Sequence, residues 1–142
     1  NYTGDRIQKF LTDFENGFYG FNQYHKNALK IVDNKIENYF KTETLYKGNL
    51  NISGKDYNII GGFFSFSPNE ISERALKENN ADLIILINIK SKTVCYRKTK
   101  TCDLNVGKLA EKLADGGGHD DAAGSMLNDT IINITKLLQP IC

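Results

Sequence analysis

The stretch Gly116-Gly117-Gly118-His119-Asp120-Asp121-Ala122-Ala123-Gly124 decides how the rest of the chain is interpreted. Three consecutive glycines have no Cβ atoms, so their backbone can adopt φ > 0 and a ligand can approach it closely. The polar residues and the two alanines that follow predict the first turn of a short helix, with free N–H groups that favour a bound phosphate. His119 then stands at the junction, where it could donate to a phosphate oxygen or stack on a base. A turn that only joins two helices is the alternative, and the stretch alone leaves both open.

The segments around this stretch predict alternating strands and helices. The apolar run from Leu83 to Ile89 indicates a central strand that is covered on both faces. A capping box at Ser67 and Glu70, with Pro68 at the first helical position, predicts a helix that reaches Asn79. The remaining predictions are strands at 49–53, 57–64, 93–98 and 125–127, a helix from 106 that ends at 116, and a C-terminal helix capped at 128 or 129 and stopped by Pro140.

The N-terminal third of the chain predicts helices only. Residues 4–15 carry apolar residues at helical spacing behind a possible N-cap at Thr3. A longer helix is predicted at about 24–47. Its apolar stripe consists of Leu29, Val32, Ile36 and Phe40, and it is widened by Ile31, Tyr39 and Leu45. The predicted fold class is therefore α/β, a mixed β-sheet flanked by helices and preceded by an N-terminal helical linker segment. The predicted division places the linker at 1–47 and the domain at 48–142.

Composition excludes several classes of protein. The 142 residues carry a formal net charge of +1, so nucleic-acid binding would need a local basic patch and not a polycationic surface. No apolar run is long enough to span a membrane, and no signal peptide opens the chain. The three cysteines, Cys95, Cys102 and Cys142, lack the spacing of metal ligands and suggest free thiols in a reducing, cytoplasmic compartment.

The pattern Gly-Gly-Gly-His-x-x-Ala-Ala-Gly resembles the signature of the DHH-associated domain, and all seven fixed positions are present. That domain is the C-terminal, substrate-binding half of DHH-type phosphoesterases such as RecJ-type exonucleases, nano-RNases and cyclic-dinucleotide phosphodiesterases. The resemblance implies that residues 1–47 are the tail of a missing catalytic domain. It also implies that the signature loop holds a phosphate or nucleotide against the metal site of that domain. The implied substrate-binding residues within the signature are Gly116, Gly117, Gly118, His119, Ala122, Ala123 and Gly124.

A basic stretch precedes the signature. Between Leu83 and Cys102 there is no acidic residue, and Arg97 lies at the end of the second predicted strand. Arg97 resembles the arginine of an Arg-Ser/Thr pair in the family, and a guanidinium binds phosphate oxygens in a bidentate fork. Because Lys98 intervenes before Thr99, either of these two residues could fill the hydroxyl position of the pair.

The catalytic centre that the resemblance implies is missing from this sequence. Two-metal hydrolysis of a phosphodiester needs several clustered carboxylates and histidines, whereas the chain has only His25 and His119. A metal site made by His119, Asp120 and Asp121 is unfavourable, since adjacent helical residues point about 100° apart. The Mn²⁺ or Mg²⁺ ions are therefore expected in the missing domain, and no cofactor is expected in this chain.

The function that the resemblance implies is binding of a single-stranded oligonucleotide or nucleotide beside a DHH catalytic domain that hydrolyses phosphodiester bonds. Whether the chain counts as an enzyme stays open, because the parent protein would supply the chemistry. One alternative is part of a cyclic-dinucleotide phosphodiesterase. The other is a non-catalytic nucleic-acid-binding or dimerisation module, similar to the C-terminal domain of alanyl-tRNA synthetases. No membrane partner is expected, and the oligomeric state stays open.

Overall fold

A computed structural model describes residues 23–141, with side chains from residue 26 onwards. Contacts group the chain into two units, Asn1–Lys35 and Ile36–Cys142. The predicted helix at 4–15 lies outside the described residues, and the proposed division at 47/48 stays a prediction. Within residues 23–141 the elements are α1 (Gln23–Thr42), β1 (Tyr46–Ile52), β2 (Lys55–Phe63), α2 (Pro68–Asn79), β3 (Leu83–Asn88), β4 (Thr93–Lys98), α3 (Val106–Ala114), β5 (Gly117–Gly118), β6 (Ala122–Met126), α4 (Asp129–Thr135) and β7 (Gln139–Pro140).

The strands of this part of the chain form one seven-stranded sheet in the order β5-β6-β4-β3-β2-β1-β7. The pair β2–β3 is parallel, and α2 connects its two strands. The remaining neighbours pair in antiparallel fashion. The predicted α/β fold, a mixed sheet flanked by helices, is confirmed.

Strand β3 is central and is buried on both faces, as its apolar run predicts. Leu83, Ile85 and Ile87 pack into a core that includes residues of α3 and α4. Ile84 and Leu86 pack into a second core on the opposite face, which includes residues of α2 and the end of α1. The sheet therefore separates two apolar cores, because successive side chains of a strand point to opposite faces.

The end of α1 differs from the prediction. The helix ends at Thr42, and Tyr46 already belongs to β1, which pairs with β2 along its whole length. Leu45 is therefore not a helical residue; it lies buried in the second core. A Cβ atom added to Gly62 would lie 2.8 Å from Leu45 Cδ2, so this strand glycine is a close packing point.

The start of α2 was predicted correctly in position but not in its cap. Pro68 is the first helical residue, as expected. Ser67, however, adopts the left-handed conformation with φ 45° and makes no side-chain capping hydrogen bond, so the predicted capping box is wrong. Phe66 and Ile71, on either side of this start, belong to the same core.

The short helix predicted after the glycines is wrong. Gly117–Gly118 and Ala122–Met126 are the two strands of an antiparallel hairpin, β5 and β6. Strand β6 pairs with β4 over five residues, and that tertiary pairing outweighs the helix propensity of two alanines. Asp120 and Asp121 therefore lie in the turn of the hairpin and not in the first turn of a helix.

The C-terminal segment is also shorter in helix than predicted. The side chain of Asn128 caps α4 by accepting a hydrogen bond from Ile131 N–H, 3.0 Å away. The helix ends at Thr135, so Leu138 lies beyond it. Pro140 belongs to the edge strand β7, where its missing N–H costs no ladder hydrogen bond.

Candidate functional site

An open cleft lies beside α2 on the face of the sheet that carries the second core. Helix α2 packs over β2, β3 and β4, and the cleft follows its flank towards β6. Its lining comes from α2, from the end of β4 and from the start of β6. These residues are Asn69, Ser72, Glu73, Leu76, Lys77, Arg97, Lys98, Thr99, Lys100, Asp121 and Ala122.

The register of β4 and β6 divides the alanines of the signature between the two faces of the sheet. Ala122 lies directly opposite Arg97, so both residues belong to the cleft face. Ala123 lies opposite Tyr96, and both are buried in the first core. Gly124 returns to the cleft face, where only a carbonyl oxygen at 3.4 Å would meet an added Cβ atom. The small residues of β6 therefore leave open space beside Arg97.

The guanidinium of Arg97 is held in place from two sides. Its Nε donates to Asn69 Oδ1 at 3.0 Å, and its Nη1 donates to the carbonyl oxygens of Tyr96 and Ala123 at 2.8 and 3.1 Å. The Nη2 group has no acceptor among residues 23–141, and no carboxylate of this region forms an ion pair with Arg97. Two N–H donors thus stay free on an oriented side chain, which is the arrangement that anion recognition needs.

Lys98 and Thr99, the two candidates for the hydroxyl position, have different environments. The Lys98 side chain is only 6% exposed and donates to Leu104 O at 2.7 Å and to Asp120 Oδ2 at 2.8 Å. These bonds connect the end of β4 to the turn of the glycine hairpin, which is the hairpin of β5 and β6. Lys98 therefore has a structural role. Thr99 is half-buried at the cleft and its hydroxyl lies 3.3 Å from that of Thr101, so Thr99 stays available as the hydroxyl residue.

Two of the three signature glycines have a packing reason. A Cβ atom on Gly118, which has φ +150°, would lie 2.6 Å from Ala122 O and from Ala123 Cα. A Cβ atom on Gly116 would lie 2.6 Å from Ser125 Cβ. Gly117 differs, since an added Cβ atom would meet nothing within 4 Å. Packing does not explain a glycine there, whereas close approach of a ligand to the backbone would.

A helix N-terminus does adjoin the hairpin, but it belongs to α3. Val106 N–H donates to Asp120 O at 2.9 Å, and a Cβ atom on Gly107 would lie 2.7 Å from Gly118 O. Asn105 caps the same helix by accepting from Lys108 N–H at 3.0 Å, as its sequence position predicts. These N–H groups are already bonded within the protein, so the predicted phosphate site on a helix dipole is not formed after Gly118.

His119 is exposed at the edge of the sheet. Its backbone N–H donates to Ala122 O at 2.8 Å, so His119 lies opposite Ala122. Because Ala122 lies opposite Arg97 on the next strand, the three residues form one row across the sheet, and His119 is two strands away from Arg97. Neighbouring strands lie about 4.8 Å apart, so the two Cα atoms are separated by roughly 10 Å. His119 does not line the cleft, and neither do Gly116, Gly117, Gly118, Ala123 or Gly124. The structure therefore brings Arg97, Thr99 and Ala122 together and leaves the rest of the signature at the adjoining edge.

Two uncharged polar residues of the cleft escaped the sequence analysis, Asn69 and Ser72 on α2. Their spacing from the buried Leu76 places all three on one side of the helix, the usual pattern of a helix that packs against a sheet. The signal that sets Ser72 apart is structural: it is 2% exposed, and its hydroxyl has no hydrogen-bond partner in the described part of the chain.

The described residues offer no metal-binding cluster. Between residues 23 and 141, no three His, Cys, Asp or Glu side chains are grouped so that they could hold an ion. Cys95 and Cys102 are free thiols, and burial raises the pKa of Cys95 although the nearby Arg97 opposes this shift. None of the helices in the same range has the length and apolar character that a membrane crossing requires.

A model of the DHHA1 domain family matches residues 64–141, more than half of the chain. The chain therefore belongs to the DHHA1 domain family, the DHH-associated domain that the signature resembles. The matched range contains α2, the whole cleft and the glycine hairpin.

Two solved structures are similar to the chain, and the first supports the fold. An uncharacterised protein from Helicobacter pylori G27 is similar with a TM-score of 0.50 and 17% identity, over 63% of this chain and 27% of that one. The pGpG-specific phosphodiesterase PggH from Vibrio cholerae is 11% identical with a TM-score of 0.49, over 92% of this chain and 43% of that one. The chain thus spans less than half the length of either protein. No curated protein sequence matches it.

Proposed function

We propose that the chain binds the phosphate end of a nucleotide or short single-stranded oligonucleotide and presents it to a DHH catalytic domain. The parent phosphoesterase would hydrolyse phosphodiester bonds, as an exonuclease or oligoribonuclease does, with Mn²⁺ or Mg²⁺ held by that other domain. The observation that carries this proposal is Arg97, which three hydrogen bonds orient and whose Nη2 group has no acceptor among the described residues.

The surroundings of Arg97 support an anionic ligand. Lys77, Lys98 and Lys100 line the same cleft, against the two carboxylates of Glu73 and Asp121. The small side chains of β6 leave room beside the guanidinium, and Thr99 adds a hydroxyl to the cleft. In our proposal the ligand also reaches His119 on the adjoining edge of the sheet. Gly117 supplies a backbone that a ligand can approach. In this arrangement the phosphate lies on Arg97 and the nucleotide extends along the cleft.

The free thiols of Cys95 and Cys102 agree with a reducing compartment, and we place the parent protein in the cytoplasm. Membership of the DHHA1 domain family supports a DHH catalytic domain as the partner of the chain.

The proposal is tested by titrating the full chain with 5′-phosphorylated diadenylate (pApA) at several salt concentrations. Arg97→Ala removes a charge-assisted contact, so the affinity should fall roughly ten- to hundredfold. The single-strand salt slope should fall by about 0.7 per lost phosphate contact. Arg97→Lys keeps the charge but not the fork and should bind weakly with the slope preserved.

Lys90→Ala is the matched control, because Lys90 lies in the turn after β3 and away from the cleft. His119→Ala should also weaken binding without loss of stability, since the exposed His119 side chain makes no hydrogen bond or ion pair within residues 23–141. If Arg97→Ala and Lys90→Ala reduce affinity equally, Arg97 contributes only general charge and the proposed site is wrong.

A further inference from the structure

The wall of the cleft carries polar groups that the phosphate contact does not use. Asn69, Ser72 and Leu76 follow one side of α2 at intervals of three and four residues. Asn69 Oδ1 accepts from Arg97 Nε, so the amino group of this amide is turned away from that bond. It has no acceptor among residues 23–141, and it leaves two N–H donors next to the proposed phosphate position.

The Ser72 side chain, without a hydrogen-bond partner in the described part of the chain, lowers the stability of the fold. It is 2% exposed, it lines the cleft, and its hydroxyl has no hydrogen-bond partner in the part of the chain that the structure describes. A buried hydroxyl without a partner is destabilising, and alanine is a better helix former than serine. Neither packing nor helix propensity therefore accounts for a serine here, whereas a ligand that completes the hydrogen bond would.

The charges of the cleft set the direction of a bound nucleotide. Arg97 and Lys100 favour the phosphate at the strand end, while near Ser72 the carboxylate of Glu73 is offset by Lys77 one helical turn later, so this part of the wall does not favour a second anion. A neutral group that can both donate and accept hydrogen bonds suits the wall near Ser72. The rise from Asn69 to Ser72 is about 4.5 Å along the helix. This rise is comparable with the separation of a nucleotide's phosphate from its ribose hydroxyls.

We propose that Asn69 and Ser72 form a sugar subsite in which the Ser72 hydroxyl bonds a ribose 2′-hydroxyl. The subsite rests on the proposed function, because the phosphate on Arg97 positions the sugar against α2. Its consequence is a preference for ribonucleotides over deoxyribonucleotides, since the 2′-hydroxyl is the group that distinguishes them.

The test compares pApA with its deoxy counterpart pdApdA in NMR titrations of the full chain and of three variants. Wild-type protein should bind pApA about 2- to 10-fold more tightly than pdApdA, the range for one neutral hydrogen bond. Ser72→Ala should bring this ratio close to 1 and leave the affinity for pdApdA unchanged. Its urea midpoint should equal or exceed that of the wild type, because the orphan hydroxyl is gone.

Ser65→Ala is the control, an exposed serine ahead of α2 that does not line the cleft, and it should keep the wild-type ratio. Arg97→Ala separates the two proposals, since it should weaken both probes together. Equal binding of both probes by the wild type, or an unchanged ratio in Ser72→Ala, overturns the sugar subsite alone. If neither probe binds the wild type, or Arg97→Ala has no effect, the proposed function itself fails.

Discussion

Substituting Gly117 and Gly118 one at a time separates the packing role of the signature glycines from their ligand role. At Gly118 an alanine would adopt φ near +150° with its Cβ atom 2.6 Å from backbone atoms of Ala122 and Ala123. Strained backbone of this kind costs about 1–3 kcal/mol, and forcing a methyl group into packed backbone costs about 1–3 kcal/mol more. Gly118→Ala should therefore lower the free energy of unfolding by about 2–6 kcal/mol.

Gly117→Ala should behave in the opposite way. No atom lies within 4 Å of the added Cβ position, and φ at Gly117 is not in the left-handed range. Replacing a glycine at an unstrained position reduces the entropy of the unfolded chain, so stability should stay unchanged or rise by up to about 1 kcal/mol. Binding of pApA should nevertheless weaken, because the methyl group occupies the space through which the ligand approaches the backbone.

The assay combines urea denaturation followed by circular dichroism with the NMR titration of pApA. Gly54→Ala serves as the control: Gly54 has φ +86° in the β1–β2 turn, so the variant should lose stability and keep its affinity. The reasoning is refuted if Gly117→Ala loses as much stability as Gly118→Ala. It is also refuted if Gly117→Ala binds pApA as the wild type does, because the glycine would then have neither role.

Two further predictions concern ion pairs outside the proposed contacts. Asp120→Asn removes the carboxylate that faces the buried Lys98 ammonium, so the free energy of unfolding should fall by about 1–2 kcal/mol. Asp121 lies in the same turn and its side chain makes no bond within residues 23–141, so Asp121→Asn should change this free energy by less than about 0.5 kcal/mol. Equal effects of the two substitutions would contradict the Lys98–Asp120 pairing. The hydrogen bond from Lys55 lowers the pKa of Asp103, so this exposed pair contributes stability above the unfolded carboxyl pKa of about 3.9 and loses it as the pH falls through the lower folded value. Urea unfolding should therefore show Asp103→Asn as less stable than the wild type at pH 7 but not at pH 2, and a difference that persists at pH 2 would count against the lowered pKa.

The main elements were predictable from the sequence because their apolar patterns are long and their caps are local. The run at 83–89 contains β3 at Leu83–Asn88, and the strand at 93–98 and the helix start at 106 lie where they are predicted. In each case the hydrophobic pattern and the local geometry favour the same element, and such agreement is what makes a sequence interpretable.

The glycine signature was predicted wrongly for a physical reason that no local pattern contains. Ala122 and Ala123 favour a helix by propensity, but β6 gains five paired positions on β4 when it is extended. That pairing depends on an earlier strand, in which Arg97 and Tyr96 lie opposite Ala122 and Ala123. The neighbourhood of Arg97 was equally hidden, since Asn69 approaches it from α2 through the tertiary fold. The resemblance named Arg97 as a candidate, and its role stays a prediction; the resemblance could not show that Ser72 lies in the same cleft.

The spacing of the signature follows from the hairpin that replaces the predicted helix. Because His119 N–H donates to Ala122 O, Asp120 and Asp121 are the two residues of the hairpin loop. Loop length sets the register of the two strands, whereas the loop side chains themselves are free to vary. One residue more between His119 and Ala122 would move the histidine out of the cross-strand row that it shares with Ala122 and Arg97. The signature therefore requires two residues between His119 and Ala122 but does not specify their side chains. Asp120 can accordingly form its ion pair with Lys98 without affecting the register of the hairpin.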